Sequence, residues 1–304
     1  MKRTFAELIA KLNDIPMKKV AVACAQDQAA LEAIKTAKER GIADAILVGD
    51  REKIKIAADP LGIDLDDFEI LDISDDYEAA LKAVELVHNR AADMYMKGHI
   101  DTRGFLKSVL DRDIGLRTGS PLSHVCVFEI EGIDQLLFLT DVAFIPYPSL
   151  EEKVSIIRNT LVITGACGII NPKVAPLAAV EVVNPKMPPT MDAAELTRMY
   201  REGEITGCII DGPLSLDLAI NREAAAMKGA TDRDIQGDAD VLLFPNIDAG
   251  NLVYKTLVNT AKVHNGNILT GTNAPVILTS RSDDCESKVN SIALGAVVAD
   301  AMRQ

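Results

Sequence analysis

The sequence predicts an α/β protein of two lobes, each a largely parallel sheet with helices on its faces. Short apolar runs alternate with helical patterns along most of the chain, as crossover units require. These runs are continuously apolar rather than alternating, which marks strands buried on both faces. The alternation also breaks once, at a Pro-punctuated passage "IPYPSLEEK" (145–153), and then restarts.

The elements follow in order. The opening "MKRTFAELIAKLNDIP" predicts an amphipathic helix with charges throughout. "KKVAVACA" (18–25) is a buried strand, and "DQAALEAIKTAKERG" (27–41) a helix ending at Gly41. Strands follow at 44–50, 67–74 and 92–98, with a helix at 77–91 before the last of them and another at 102–111. Runs at 124–130 and 135–140 flank "EGID" as in a hairpin, so the sheet is expected to be mixed. Beyond the Pro passage come a strand and its loop at 174–185, and a helix at 191–203 opened by Asp192. The stretches 206–220, 239–257 and 274–281 follow. A final helix, roughly 284–302, places Val289, Ile292, Ala293, Ala296 and Val297 on one face.

Composition narrows the function. The 304 residues carry a formal charge of −13, which argues against nucleic acid or an anionic membrane as partner. An anionic substrate would need local positive charge. No run approaches the ~18–20 apolar residues of a membrane span, and the N-terminus lacks the apolar core of a secretion signal. Five scattered cysteines without a C-x-x-C pair read as reduced thiols in a cytoplasmic protein. No P-loop is present, and "CAQDQAAL" stands where a glycine-rich dinucleotide fingerprint would follow the first strand. No His or Cys spacing suggests a zinc site. His99 and His124 lie near polar strand ends; Cys285 lies near a helix N-terminus without an evident partner base.

The strand ends are where ligands collect in open α/β sheets. Buried runs stop on Lys97-Gly98-His99, Thr140-Asp141, Asp211-Gly212-Pro213, Pro245-Asn246 and Ser280-Arg281. Residues 97–117 hold five Lys/Arg against three Asp, a local +2. Lys97, before a glycine that permits close backbone approach, and the amides opening the next helix would suit a phosphate. Arg281 suits an anion, the alternative being an ion pair with Asp283 or Asp284.

Several of these runs together resemble the phosphate acetyl/butyryltransferase family: "ADMYMKGHIDTRGFLKSVL", "GLRTGSPLSHVCVFE", "GCIIDGPLSLDLAI", "ADVLLFPNIDAGNLVYKTL" and "APVILTSRSDDCESKVNSIAL". The likeness covers nearly the whole chain in order. It implies interconversion of a short-chain acyl-CoA (butyryl-CoA first, acetyl-CoA as alternative) plus inorganic phosphate with acyl phosphate plus CoA. It implies CoA as a substrate, no metal, no separate cofactor, and a homodimer or higher homo-oligomer. The implied fold is similar to that of isocitrate and isopropylmalate dehydrogenases, with an active cleft between lobes formed by 1–139 plus 283–304 and by 140–282.

By the same resemblance Ser280 and Arg281 lie at the reacting atoms, with the Ser near the thiol and the Arg on phosphate or carbonyl oxygens. Lys97, Thr102, Arg117 and Ser123 are expected at the CoA or phosphate site from the first lobe. Asn246, Gly250, Asn251 and Lys255 match the second-lobe motif. For the thiol proton two readings stand. The acetyl branch of the family keeps an Asp six residues after the motif Arg, where this chain has Ser287, so Glu286 could take the base role. Alternatively Asp283 caps the last helix and Glu286 reaches back as a capping box. A base-free route, with a positive site holding CoA as thiolate, is a third. A metal- and NAD-dependent dehydrogenase of the same fold would instead gather carboxylates such as Asp211, Asp217 and Asp248 around a metal, and a CoA-binding module without chemistry would bind but not turn over.

Overall fold

In the structure, a computed structural model that describes residues 4–230, 232–279 and 283–303, the strand–helix alternation is realised in two units. Phe5–Ser120 with His264–Gln304 form the first, and Pro121–Val263 the body of the second.

The first unit runs α1 (Phe5–Lys11), β1 (Lys18–Ala23), α2 (Gln28–Glu39), β2 (Ala43–Gly49), α3 (Arg51–Ala58), β3 (Glu69–Asp72), α4 (Asp76–His88), β4 (Met94–Lys97) and α5 (Thr102–Val109). The second unit holds β5 (Ser123–Ile130), β6 (Leu137–Thr140), α6 (Leu150–Ala166), β7 (Lys173–Pro176), α7 (Pro188–Arg201), β8 (Ile209–Ile210), α8 (Leu216–Ile220), α9 (Arg222–Met227), β9 (Val241–Leu243) and α10 (Ile247–Thr260). The chain then returns with β10 (Val263–Thr270), β11 (Val276–Ile277) and α11 (Cys285–Ala301).

In the first unit the strand order is β3-β2-β1-β4-β11-β10. β1 pairs in parallel with both β2 and β4, and β11 in parallel with β4; β10 is antiparallel to β11. The connection from β1 runs outward to β2 and β3, then returns through α4 to the far side of β1. The point between β1 and β4 is therefore a topological switch point, where a crevice opens beyond the strands' carboxyl ends. The helices start on acid caps: Asp27 accepts from Ala30 N, Asp75 from Tyr77 and Glu78 N, and Asp101 from Gly104 N. Under them Tyr95 stacks on Phe105 at 4.5 Å, and its hydroxyl bonds Ser108 and the Ala80 carbonyl.

The second unit orders its strands β5-β6-β9-β7-β8, with β6, β9, β7 and β8 parallel and β5 antiparallel to β6. The hairpin read from "EGID" is thus present. Its core joins Phe128, Leu139, Leu242, Phe244 and Tyr254. α7 begins earlier than its acid suggests: Pro188 and Pro189 set the start, and Asp192 lies inside the helix, paired with the buried Lys153.

The units divide at other points than the lobes drawn from the sequence (1–139 plus 283–304, and 140–282). The reason is pairing. The hairpin β5–β6 joins the second unit because β6 pairs with β9, and β10–β11 join the first because β11 pairs with β4. α11 packs on α1, α2 and β1 of the first unit. It is buried nearly all round, not on one face, from Lys288 to Ala299.

Candidate active site

The candidate residues sit where strands end, and each unit holds its own set. In the first unit β1 and β4 deliver two loops that are zipped together. Gly98 N donates to Ala23 O at 2.9 Å and His99 N to Cys24 O at 2.7 Å. A side chain on Gly98 would come within 2.4 Å of the Cys24 carbonyl, so only glycine permits this approach. Cys24 takes a left-handed conformation (φ 53°) to present that carbonyl. Its thiol donates to Asp76 O, and burial, with Asp76 and Asp75 adding, pushes its pKa up to about 12; it is no nucleophile at neutral pH.

Lys97, half-buried at the end of β4, points its ammonium toward Gly98 O at 3.4 Å. Thr102 is the exposed first residue of α5. Between these loops lies a cavity of about 530 Å³, lined among others by Asp27, Asp76, Tyr77, Lys97, His99 and Asp101. Of the amides opening α5, which were expected to suit a phosphate, that of Gly104 donates to Asp101 at 2.9 Å, and the Asp101 carboxylate brings a negative charge there. Arg117 is not with this group. It bridges to Thr272, in the turn that joins β10 and β11, at the end of β11 away from the carboxyl end of β4. Ser280 and Arg281 lie outside the described residues.

The helix that follows them is described. Its N-cap is Asp284, not Asp283: Asp284 accepts from Ser287 N at 2.8 Å. The Ser287 bonds hold the Asp284 carboxyl below the usual range. Glu286 does not reach back to a capping residue either. It makes a bidentate pair with Arg40, at the end of α2, at 2.8 and 2.9 Å. Both side chains are about half-exposed (45% and 43%). Ser287, at the position of the acetyl-branch Asp, donates from its hydroxyl to Asn265.

In the second unit Asn246, Gly250, Asn251 and Lys255 all belong to α10 or its cap. Asn246 caps the helix, accepting from Ala249 N at 3.0 Å. Gly250 lets α10 press on the tail of β6: an added Cβ would lie 2.6 Å from Asp141 O. Asn251 donates to Val142 O at 3.1 Å. Lys255 lies 5.0 Å from the centroid of the Tyr254 ring. Ser123, at the start of β5, is fully buried and its hydroxyl accepts from Asn159 at 3.0 Å. Because β5 is antiparallel to β6, Ser123 shares the sheet edge with Asp141 and Asn246.

The organiser of this edge is Asp141, which the strand-end pattern flags without a role. It is 2% exposed, and its carboxylate accepts from the backbone of His124 (3.3 Å), Ala143 (2.9 Å), Phe144 (2.9 Å) and Ile145 (3.1 Å). It thereby fixes the loop on which Gly250 and Asn251 rest. The carboxylates that a metal-dependent dehydrogenase would gather are tied elsewhere. Asp211 pairs with Arg233 at 2.8 Å, Asp217 with Lys228 at 2.9 Å, and Asp248 accepts from Tyr147 at 2.6 Å. Among the described residues no group of three or more His, Cys, Asp or Glu is gathered to hold a metal ion, and no helix is long and apolar enough to cross a membrane.

Comparison with known proteins adds to this geometry. A family profile described as Phosphate acetyl/butaryl transferase matches residues 4–79 and 76–296. A phosphate butyryltransferase of Clostridium acetobutylicum is 56% identical over 98% of this chain and 99% of its own. A phosphate acetyltransferase of Thermotoga maritima is 40% identical over 97% and 100%. Among solved structures, a branched-chain phosphotransacylase from Enterococcus faecalis superposes with a TM-score of 0.84 at 32% identity, covering 93% of this chain and 99% of that one. A 4-hydroxythreonine-4-phosphate dehydrogenase from Burkholderia phymatum, at 13% identity and a TM-score of 0.55 over 93% and 99%, shares the fold, which is thus dehydrogenase-like as expected.

Proposed function

The chain belongs to the phosphate acetyl/butaryl transferase family, and from that membership we propose that it interconverts butyryl-CoA, or a similar short-chain acyl-CoA, plus inorganic phosphate with acyl phosphate plus CoA. The observation that carries this is 56% identity to a phosphate butyryltransferase over nearly the full length of both chains. The acetyl reaction is the second reading, favoured by the 40% identical acetyltransferase. One methylene changes discrimination by only about 1–3 kcal/mol, so overlapping substrates are expected.

In the acyl phosphate direction the CoA sulfur bonds to the carbonyl carbon and the carbonyl electrons move to oxygen. Collapse of that oxyanion breaks the carbon–oxygen bond to phosphate, and the thiol proton leaves to base or solvent. Donors placed for the oxyanion supply roughly 3–4 kcal/mol each. Ser280 and Arg281 are proposed for the reacting atoms, Lys97 and Thr102 for the substrate from the first unit, and Asn246, Asn251 and Lys255 from the second. For Gly250 and Ser123 the geometry favours a supporting part, since one packs on Asp141 and the other is buried against Asn159. Arg117 remains a candidate for the CoA or phosphate site, away from Lys97. The Arg40 pair favours a structural part for Glu286 and leaves a positive site, rather than a side-chain base, to hold the thiolate. CoA and phosphate enter as substrates, and this chemistry needs no resident cofactor. A homodimer or higher homo-oligomer in the cytoplasm completes the proposal; the burial of Cys24, Cys126, Cys167 and Cys208 as thiols fits a reducing compartment.

The test is phosphate-dependent CoA release from acetyl-, butyryl- and valeryl-CoA, followed with a thiol reagent. Turnover is expected to be fastest with a four- or five-carbon chain. No release from any of them would sink the proposal. Arg281→Ala is expected to lower kcat by roughly 10²–10³, as loss of an oxyanion donor does.

A further inference from the structure

A buried ammonium stands at the start of α11 with no acid paired to it among the described residues. Lys288 is 5% exposed, and its hydrogen bond goes to a neutral acceptor, the backbone carbonyl of Asp283. An ammonium has three protons to give, and a charge taken out of water is costly unless it is paired. Beside it is the opposite imbalance. Asn267 of β10 is 2% exposed; its Nδ2 faces the Asp283 carboxylate at 3.5 Å, as the charges dictate, and its Oδ1 has no donor among the described residues. Both side chains stand on anchored backbone. Asn267 N donates to Ser291 at 2.8 Å, and Lys288 lies one turn into a helix capped by Asp284.

We propose that Lys288 and Asn267 hold the sulfur of CoA, with Lys288 as the cation that keeps it a thiolate. This rests on the acyltransferase reading and names the residues of its positive site. Spare protons beside an unfilled acceptor suit a group that carries a proton in one state and a negative charge in the next. The thiol donates to Asn267 Oδ1, and the thiolate accepts from Lys288. The place agrees. β10 is antiparallel to β11, so its first residues stand at the carboxyl ends of β11 and β4. Asp283, which both side chains meet, is two residues past Arg281 in the chain. Ser287 offers no carboxylate and Glu286 is held by Arg40, so a neighbouring cation does the work of a base. The S–H bond breaks with its electron pair left on sulfur and its proton released to solvent; that pair then forms the bond to the carbonyl carbon. In the reverse direction the same ammonium receives the departing thiolate. The other titratable groups around Lys288 are Asp283, Asp284 and Cys285 on its own segment, Glu32 and Arg40 of α2, and His264 of β10. Asp284 is taken by Ser287 and Arg40 by Glu286, which leaves Lys288, among the described residues here, as the cation with protons to spare.

The test reads the sulfur directly, by the ultraviolet absorbance of the thiolate of bound CoA, with desulfo-CoA as the blank. Wild type, Lys288→Met, Lys288→Arg and Asn267→Asp are titrated with pH. A free thiol ionises at about 8.5. Wild type is expected to lower that midpoint by about one unit or more. Lys288→Met should return it to about 8.5 or above, Lys288→Arg should keep it low, and Asn267→Asp should raise it by adding a negative charge. In turnover of acyl phosphate with CoA, Lys288→Met should lose roughly tenfold at neutral pH and recover as pH rises toward the thiol's own value. A merely structural loss would be the same at every pH. Should Lys288→Met fail to fold, the Arg and Asp variants carry the comparison. No binding of CoA, a wild-type midpoint at the free value, or one equally low in Lys288→Met overturns the assignment. Phosphate-dependent CoA release by wild type with an unshifted sulfur rejects this assignment alone. A low midpoint restored by Lys288→Met, without release by wild type, keeps the sulfur site and overturns the acyltransferase reading.

Discussion

Arg40 and Glu286 are 246 residues apart, and nothing in the sequence around either signals the other. Their pair changes what Glu286 is expected to do. A half-exposed ion pair contributes at most about 1 kcal/mol. Glu286→Gln should therefore melt within a few degrees of wild type and keep kcat within about threefold, instead of the roughly 10²–10⁴-fold loss that removing a general base brings. A steeper loss with a displaced pH profile would restore the base role. Asp141 is the contrasting case. All four of these bonds run from backbone N–H donors, two to each carboxylate oxygen, so Asp141→Asn turns an amide NH₂ against two of those donors. The expected cost is about 2–4 kcal/mol, read by denaturant unfolding. Its strand-end position was legible; its four amide partners were not, because they depend on how the loop folds back.

At the scale of elements, α10 shows why a motif can be read correctly in place and only partly in role. Its asparagines and glycine are spaced to meet the β6 tail, and Asn246, Gly250 and Asn251 make cap and packing contacts. Gly250→Ala puts a methyl group 2.6 Å from a backbone oxygen and is expected to cost about 1–3 kcal/mol, seen as a lower Tm. A Tm equal to wild type would mean that the helix is free to shift. β10 was the element hidden from pattern reading. "VHNGNILT" was assigned to no element, yet Asn265, Asn267 and Thr270 are all buried, where Asn265 accepts from Ser287 and Asn267 N donates to Ser291. Polar side chains buried against a distant helix carry no periodic signal. β1, β2 and β4 were legible for the opposite reason: their apolar runs are buried on both faces.

Across the whole molecule, the fold class and the sheet edges were readable, while the unit boundaries depended on which strands pair. The charge of −13 also acts at this scale. Asp284 is held low by Ser287, Glu181 by Ser215, and Asp217 by Ser215 and Lys228 to about 2. Their folded values lie below the unfolded ones, so the unfolded chain binds more protons in acid. Stability from these groups is present above about pH 4.5 and lost as pH falls toward 2. Tm should be nearly flat from neutrality to about pH 5 and decline below it; a decline already beginning near pH 7 would point to a different group. Finally, α11 lies between α1, α2 and β1, nearly all of its length buried. During synthesis, the body of the second unit, Pro121–Val263, is one unbroken stretch and can complete its core as soon as it emerges. The first unit, though begun earlier, must wait with an open groove until α11 has emerged. The two units thus mature in the reverse of the order in which they are begun, and the exposed groove is the stage at which a chaperone has most to protect.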